Sequence, residues 1–170
     1  IRQLESSEKE KAENLMIVDL VRNDFNRVAI RGSVRVPRLF EIQTFGTVHQ
    51  MVSTIEGQVD QKSPVEILKA CFPMGSMTGA PKISAMKSIE ELENYRRGIY
   101  SGTIGYFTPE GDFDFNVVIR TALLKEDRLH YSVGGAITSD SDPEKEWEES
   151  IIKSRALTEA MSSPAKQINQ

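Results

Sequence analysis

Two pairs of glutamates, Glu10 with Glu13 and Glu146 with Glu149, stand three residues apart in segments with a helical pattern. In an α-helix this spacing places both carboxylates of a pair on one face. Two such helices, brought side by side, would present four carboxylates to one point. Mg2+ binds this kind of oxygen-rich, partly hydrated site, often shared with a charged substrate. The pairs are therefore candidate metal ligands.

Each pair also has an explanation without a metal. Ser7 and Glu10 fit a capping box, in which the glutamate would only bond the backbone of the serine. Glu149 and Lys153 are four apart in the favourable order for a surface ion pair. The first pair runs into an apolar stripe on the same helix face, and carboxylates at the edge of a buried stripe need a partner. Spacing alone leaves cation, cap and ion pair open.

Composition limits the classes of function. With 170 residues, 39% hydrophobic and 27% charged, the chain has an ordinary globular composition and the length of one domain. A net charge of -4 and the lack of a basic run argue against nucleic acid or an anionic membrane as partner. No apolar run reaches membrane-spanning length. Ile1 begins neither a signal peptide nor an initiator sequence, so we expect the chain to start mid-protein or after processing. A single cysteine, Cys71, favours a cytoplasmic setting.

Periodicity and turn residues predict an α+β fold. A helix is expected from a Ser7 cap to about residue 23, a β-hairpin around a turn at 31–33, and a second strand that Pro37 cuts short. A β-prone stretch follows at 47–55, and Ser63 begins the next helix. Later segments predict an antiparallel meander of strands at 101–107, 113–122 and 128–133. The last helix starts at Asp142 and leads into a frayed tail at 162–170.

The segment 72–82 is glycine-rich and opens onto a helix at about 82–93. Gly75 and Gly79 would let the backbone approach a ligand and expose amide donors. Lys82 opposes the helix macrodipole, so we expect it to face an anion. A connecting loop with tight turns explains the same residues equally well.

Three further positions have two interpretations each. His49, on the β-prone stretch, is either a structural histidine or a catalyst. Strand alternation sets Phe113, Phe115, Val117 and Ile119 on one face and Asp114, Asn116, Val118 and Arg120 on the other. Arg120 then lies on a wet sheet surface or lines a polar cavity. Gly134 and Gly135 break the third strand where the backbone could bend around a carboxylate.

Several motifs resemble, in order along the chain, those of the chorismate-binding enzymes. They are AENLMIVDL at 12–20 followed by RND at 22–24, GSMTGAPK at 75–82, YSGTIGY at 100–106, IRT at 119–121, GGAI at 134–137 and EWEE at 146–149. The match covers about 7–160. The resemblance implies the family's α/β sandwich, mainly antiparallel sheet with helices packed on it.

The resemblance also implies a metal site. Glu13 and Glu149 would bind Mg2+ directly, and Glu10 and Glu146 would hold metal-bound waters. The ion would grip the ring carboxylate of chorismate and, as a Lewis acid, help the hydroxyl across the ring to leave.

The remaining site residues follow from the same resemblance. His49 would lie over the departing group, and Ser76 would line the ring site. Tyr100, Arg120 and the amides near Gly134 and Gly135 would hold the enolpyruvyl carboxylate. Lys153 would add a second positive charge near the ring carboxylate.

Within the family, the run 33–37 and Thr78 are most similar to the aminodeoxychorismate synthases, component I. That branch aminates chorismate to 4-amino-4-deoxychorismate for folate synthesis, with a glutamine amidotransferase supplying ammonia. The alternatives are the corresponding part of anthranilate synthase, or a fragment that binds ligand without turnover. Isochorismate and salicylate synthases resemble the loop less.

One family feature is missing from the sequence. Family members are longer, and aminodeoxychorismate synthases have an upstream Pro-Ile-Lys-Gly-Thr-like segment whose lysine attacks the ring. We therefore expect residues 1–170 to be the C-terminal portion of a single chorismate-binding domain, inactive without its N-terminal half. Such a fragment should expose a sheet edge and apolar surface, which favours self-association.

Overall fold

In a computed structural model of the chain, residues 1–46 and 48–162 are described. Their elements, in chain order, are α1 (Arg2–Glu5), α2 (Glu8–Phe25), β1 (Arg35–Thr44), β2 (His49–Glu56), α3 (Pro64–Cys71), a 3-10 turn (Gly75–Met77), α4 (Lys82–Leu92), β3 (Thr103–Phe107), β4 (Phe113–Val117), β5 (Ala122–Lys125), β6 (Arg128–Tyr131) and α5 (Pro143–Ser162). The α+β class is confirmed. Ser162 ends α5, and the rest of the predicted frayed tail, 163–170, lies outside the described residues.

The two helices that bear the acidic pairs begin where the sequence predicts. The Ser7 side chain accepts a hydrogen bond from the Glu10 amide at 3.3 Å, which caps α2. At α5, the Asp142 carboxylate accepts one from the Lys145 amide at 3.1 Å. Each cap satisfies an amide that the helix itself leaves unpaired. Both pairs therefore lie in the first half of a regular helix.

The predicted hairpin around 31–33 is wrong. Ala29 forms an isolated bridge with Val59, and the following strand pairs with β2 instead. That strand, β1, also runs through Pro37, which we expected to end it. The register shifts between Arg35 and Arg38, and such an irregularity tolerates a residue without an amide donor. The β-prone stretch forms β2 as expected.

The predicted meander is only partly correct. β3 pairs antiparallel with β4, and β5 with β6, but each pair is a separate two-stranded sheet within the described residues. The predicted strand 113–122 ends at Val117 and resumes as β5. Val118, which strand alternation set with the polar residues, is 2% exposed and part of the core. The chain leaves the strand before Arg120, where φ is +51°.

Little apolar surface is fully buried in the part of the chain that the structure describes. Val18 and Val118 are its only fully buried apolar side chains. Large side chains such as Leu92, Ile137 and Trp147 are more than two-thirds exposed. This apolar surface is the kind that partner contacts cover, and the expected self-association stays a prediction. Within 1–46 and 48–162, no helix is long and apolar enough to span a membrane.

Candidate active site

The two glutamate pairs lie close together, where α2 and α5 are in contact. We name Glu10, Glu13, Glu146 and Glu149 the acidic end. Lys9 of α2 joins the helices, because its Nζ donates to Glu146 Oε1 at 3.2 Å and lies 3.6 Å from Glu13 Oε1. The fold therefore brings together two pairs that are more than a hundred residues apart in sequence, as the metal interpretation requires.

The carboxylates of the acidic end influence one another. Burial raises the pKa of Glu13; Lys9 opposes this rise, while the charges of Glu10, Glu146 and Glu149 add to it. At Glu146, hydrogen bonds from the Ser141 hydroxyl, at 2.9 Å, and from Lys9 lower the pKa. The charges of the neighbouring glutamates therefore act on Glu13, whereas the donors around Glu146 favour its ionised form.

The glycine pair passes directly over the acidic end. Lys153 Nζ contacts Glu149 Oε1 at 2.5 Å and donates to the carbonyl oxygen of Gly134 at 3.0 Å. A Cβ added at Gly135 would lie 3.2 Å from Glu146 Oε2 and 3.9 Å from Glu149 Oε1. A side chain at this position would press on the Glu146 carboxylate, which would have to shift by a few tenths of an ångström.

The donor chemistry at the acidic end suits Mg2+, which prefers carboxylate oxygens. Lys9 and Lys153 now lie against these carboxylates and neutralise part of their charge. As the side chains are placed, no group of three or more metal-ligating residues within 1–46 and 48–162 closes around one point. Magnesium therefore stays a prediction, supported by the type and the proximity of the ligands.

A cleft of about 440 Å³ adjoins the acidic end. Five residues that the family resemblance assigned to the substrate are among its lining: Ser76, Tyr100, Arg120, Gly134 and Lys153. Gln50, Met77, Val117, Ile119, Ser132, Val133 and Ala136 complete the lining. Val117 and Ile119 were not expected here, because an unbroken strand would have placed them on the face opposite Arg120. Lys153 belongs to both places, so the cleft and the acidic end are continuous.

Two cleft residues are held in constrained positions. Tyr100 packs closely on the glycine pair, since a Cβ at Gly134 would lie 3.0 Å from its hydroxyl oxygen. Burial raises the pKa of the Tyr100 phenol, so it stays a neutral hydrogen-bond donor at ordinary pH. Arg120 has a left-handed backbone, φ +51°, which is uncommon for a residue with a long side chain. It lines the cleft and is also exposed to solvent, so each of the two expected positions holds in part.

His49 does not line this cleft. It is exposed at the start of β2, and its Nδ1 lies 3.0 Å from the Thr44 hydroxyl oxygen on β1. The next residue, Gln50, does line the cleft. His49 is therefore near the candidate site but is not in contact with it, and its catalytic role stays a prediction.

Lys82 faces an anion, as expected, and that anion is the carboxylate of Asp24 in the same chain. Its Nζ bonds Asp24 Oδ2 at 2.5 Å and the carbonyl oxygen of Pro73 at 2.8 Å. Both side chains are buried, with 12% and 5% exposed for Lys82 and Asp24. The glycine-rich loop is thereby attached to the end of α2, and Lys82 needs no bound anion.

Comparison with known proteins identifies the same family that the sequence motifs resemble. Residues 1–159 match the family model described as chorismate binding enzyme. An Arabidopsis thaliana aminodeoxychorismate synthase, chloroplastic, is 54% identical over 94% of this chain and 17% of that protein. Component 1 of anthranilate synthase from Aquifex aeolicus is 47% identical over 92% of this chain and 32% of that protein.

A solved structure shows the same fold. Anthranilate synthase component I from Streptococcus pneumoniae superposes with a TM-score of 0.85 at 40% identity, over 92% of this chain and 36% of that one. The chain spans a third or less of the length of the two curated relatives named above. Because the family model matches nearly the whole chain, this protein belongs to the chorismate binding enzyme family.

Proposed function

We propose that this chain is the metal- and carboxylate-binding part of an enzyme that aminates chorismate to 4-amino-4-deoxychorismate for folate synthesis. The observation that supports it most is the continuity of the cleft with the acidic end, since substrate-binding residues and carboxylates share Lys153. The similarity to aminodeoxychorismate synthases at about half identity supports the choice of product.

The chain's own residues would bind and orient the substrate. The Arg120 guanidinium can bind both oxygens of a carboxylate, which fixes its plane as well as its position. The neutral Tyr100 hydroxyl can donate a further hydrogen bond beside Gly134. Lys153 supplies a positive charge between the cleft and the acidic end. Together these groups suit a small dianion with two separated carboxylates.

Glu13 and Glu149 would hold Mg2+ directly, with Glu10 and Glu146 behind them through water. When bound, the ion would supply Lewis-acid polarisation of the substrate's ring carboxylate. Gly135 would leave room for that carboxylate, because no side chain fills the space above Glu146.

The complete reaction is proposed to need more than these residues. The ring-attacking lysine expected for aminodeoxychorismate synthases is not in the sequence, and the chain covers a small share of its relatives. We therefore expect it to bind chorismate without turning it over, and ammonia to come from a glutamine amidotransferase partner. Steady product formation by the purified chain with chorismate, ammonia and Mg2+ would contradict this.

Binding can be tested by calorimetric titration of chorismate in the presence of Mg2+. We expect Arg120→Ala to weaken binding at least about 10-fold, since a charge-assisted bond to a carboxylate is lost. Arg128→Ala, at an exposed arginine of β6 outside the cleft, is the matched control and should bind normally. The proposal fails if the unmodified chain is indifferent to chorismate, or if the two variants behave alike.

Anthranilate synthase is the alternative, supported by the 47% and 40% identities to two such proteins. The fragment could also bind ligand without belonging to either reaction. The product of the complete enzyme separates the two synthases, because anthranilate is fluorescent and 4-amino-4-deoxychorismate is not. The expected cytoplasmic location stays a prediction beside a relative described as chloroplastic.

A further inference from the structure

Arg97 lies behind the cleft, and its guanidinium is held rigidly by one glutamate. Nε donates to Glu93 Oε2 at 2.8 Å, and Nη2 donates to Glu93 Oε1 at 2.6 Å. This two-bond pairing fixes the plane of the guanidinium, which a single contact would not do. Arg97 therefore presents its remaining donors in a defined direction.

Nη1 of Arg97 contacts Met77, which lines the cleft, and Ser101, which follows the cleft residue Tyr100 in the sequence. Nη1 donates to the carbonyl oxygen of Met77 at 2.7 Å and to the Ser101 hydroxyl at 3.1 Å. The guanidinium carbon also lies 5.8 Å from the centre of the Tyr100 ring. Met77 and Tyr100 both line the cleft, although they belong to different segments of the chain.

Ser101 connects Arg97 to a third segment of the cleft lining, the one that follows β4. It is buried, and its amide donates to the carbonyl oxygen of Val118 at 2.9 Å. Val118 lies between Val117 and Ile119, which line the cleft. One guanidinium thus contacts or backs the glycine-rich loop, the Tyr100 segment and the segment after β4.

Only arginine can make this set of contacts. Its planar fork has five donors, whereas a lysine ammonium is a single point that cannot reach Glu93, Met77 and Ser101 together. Hydrogen bonding to Glu93 raises the pKa of Arg97, so its charge is constant at any working pH.

We propose that Arg97 is a positioning residue that holds Met77 and Tyr100 at the cleft in the geometry that binds substrate, and that Glu93 aligns it. Arg97 itself does not line the cleft, so it would act on a substrate only through Met77 and Tyr100. The identity of the ligand, chorismate, rests on the proposed function, but the support of the cleft walls does not.

The test compares Arg97→Lys with Arg96→Lys. Arg96 is the adjacent arginine, is exposed, and makes no hydrogen bond or ion pair with any residue that the structure describes. We measure amide hydrogen exchange without ligand, chorismate affinity by calorimetry, and stability in urea. Arg97→Lys should speed exchange of the Met77 and Thr78 amides while the amides of α5 keep their rates. Chorismate affinity should fall roughly 10-fold, and Arg96→Lys should change neither.

Each outcome decides the matter. If Arg97→Lys matches Arg96→Lys in exchange at the loop, the proposal is wrong, whatever the ligand. If exchange accelerates throughout the molecule together with a loss of stability, Arg97 is only structural and the proposal is also wrong. If the loop responds locally but the unmodified chain does not bind chorismate, the proposed function fails and the support of the cleft by Arg97 stands.

Discussion

The acidic end and the anchoring of the glycine-rich loop both consist of charged side chains, but they use them in opposite ways. We name the second region the loop anchor and define it by four residues: Asp24, Lys82, Glu93 and Arg97. There every charged group has a fixed partner within the chain, such as Lys82 on Asp24 or Arg97 on Glu93. At the acidic end, four carboxylates share the two lysines Lys9 and Lys153.

The starts of two helices show the same contrast. At α3, the Ser63 amide donates to Glu66 Oε2 at 2.9 Å, which completes a capping box. At α2, the Ser7 amide donates instead to the carbonyl oxygen of Leu4 at 3.3 Å. Glu10 is thus not committed to its own cap, although the sequence spacing is the same. Charges with fixed partners build structure, while carboxylates in excess over their cations remain able to take a ligand.

We expect the largest loss of stability from a substitution that removes the buried ion pair of the loop anchor. Lys82→Met leaves the Asp24 carboxylate buried without a cation and should lower the free energy of unfolding by about 3–5 kcal/mol. Arg22→Met, which removes an exposed partner of Asp19 on the same helix, should cost less than about 1 kcal/mol. Urea unfolding measures both. Similar losses for the two variants would show that the Lys82 pair is not structural.

The next prediction compares the binding of Mg2+ at the acidic end with the binding of chorismate in the cleft. A methyl group at Gly135 would press on the Glu146 carboxylate, so Gly135→Ala should weaken Mg2+ binding roughly 5-fold, as for a modest disturbance at an exposed position. In Gly134→Ala the added methyl group would instead lie against the Tyr100 hydroxyl, so this variant should mainly weaken the binding of chorismate. Calorimetric titrations with each ligand compare them. Equal effects of both variants on Mg2+ would contradict the division.

A smaller effect, a gain in Mg2+ affinity, tests whether Lys9 competes with a metal ion for the carboxylates of the acidic end. Lys9→Gln removes a cation that competes for Glu13 and Glu146, so Mg2+ affinity should rise about 2- to 5-fold, in keeping with the modest strength of half-exposed ion pairs. Lys11→Gln, on the same helix but paired with Glu8, is the control. If Lys9→Gln binds Mg2+ more weakly than Lys11→Gln, Lys9 supports the site instead of competing for it.

The smallest effect is a pH dependence at the start of α3. Hydrogen bonds from the Ser63 amide and hydroxyl lower the pKa of Glu66 below its ordinary value of 4.5. A lowered folded-state pKa contributes stability that is present above the unfolded value and is lost as pH falls through the folded value. The stability difference between the unmodified chain and Glu66→Gln should therefore shrink below about pH 4.5. Urea unfolding from pH 6 to pH 3 measures it, and a constant difference would contradict the assignment.

Sequence reasoning succeeded where a signal is local. The starts of α2, α3, α4 and α5 follow from serine, aspartate or proline at their first positions, and each was predicted within about two residues. It failed where pairing is distant, as with Ala29, whose partner Val59 lies thirty residues on. It also failed at Val118 and Arg120, because a break in a strand reverses which side chains face the core.

The candidate site divides in the same way. Motif resemblance identified most of its polar residues, including Ser76, Tyr100 and Arg120, since their types and order are written in the chain. It assigned no role to Arg97, or to Asp24 at the end of the RND motif, because their roles depend on contacts with carbonyl groups and charges that no spacing reveals.

Residue types and the pitch of a helix are enough to recognise the family, the starts of α2 to α5 and the spacing of the glutamate pairs. The folded chain alone shows that the two pairs meet, that Lys9 and Lys153 lie against them, and that Lys82 is neutralised by Asp24. Whether a carboxylate caps a helix, pairs with a lysine or remains available for a cation depends on which groups the fold brings within a few ångströms of it. Electrostatic energies fall with distance and change with burial, and neither quantity exists before the chain has folded.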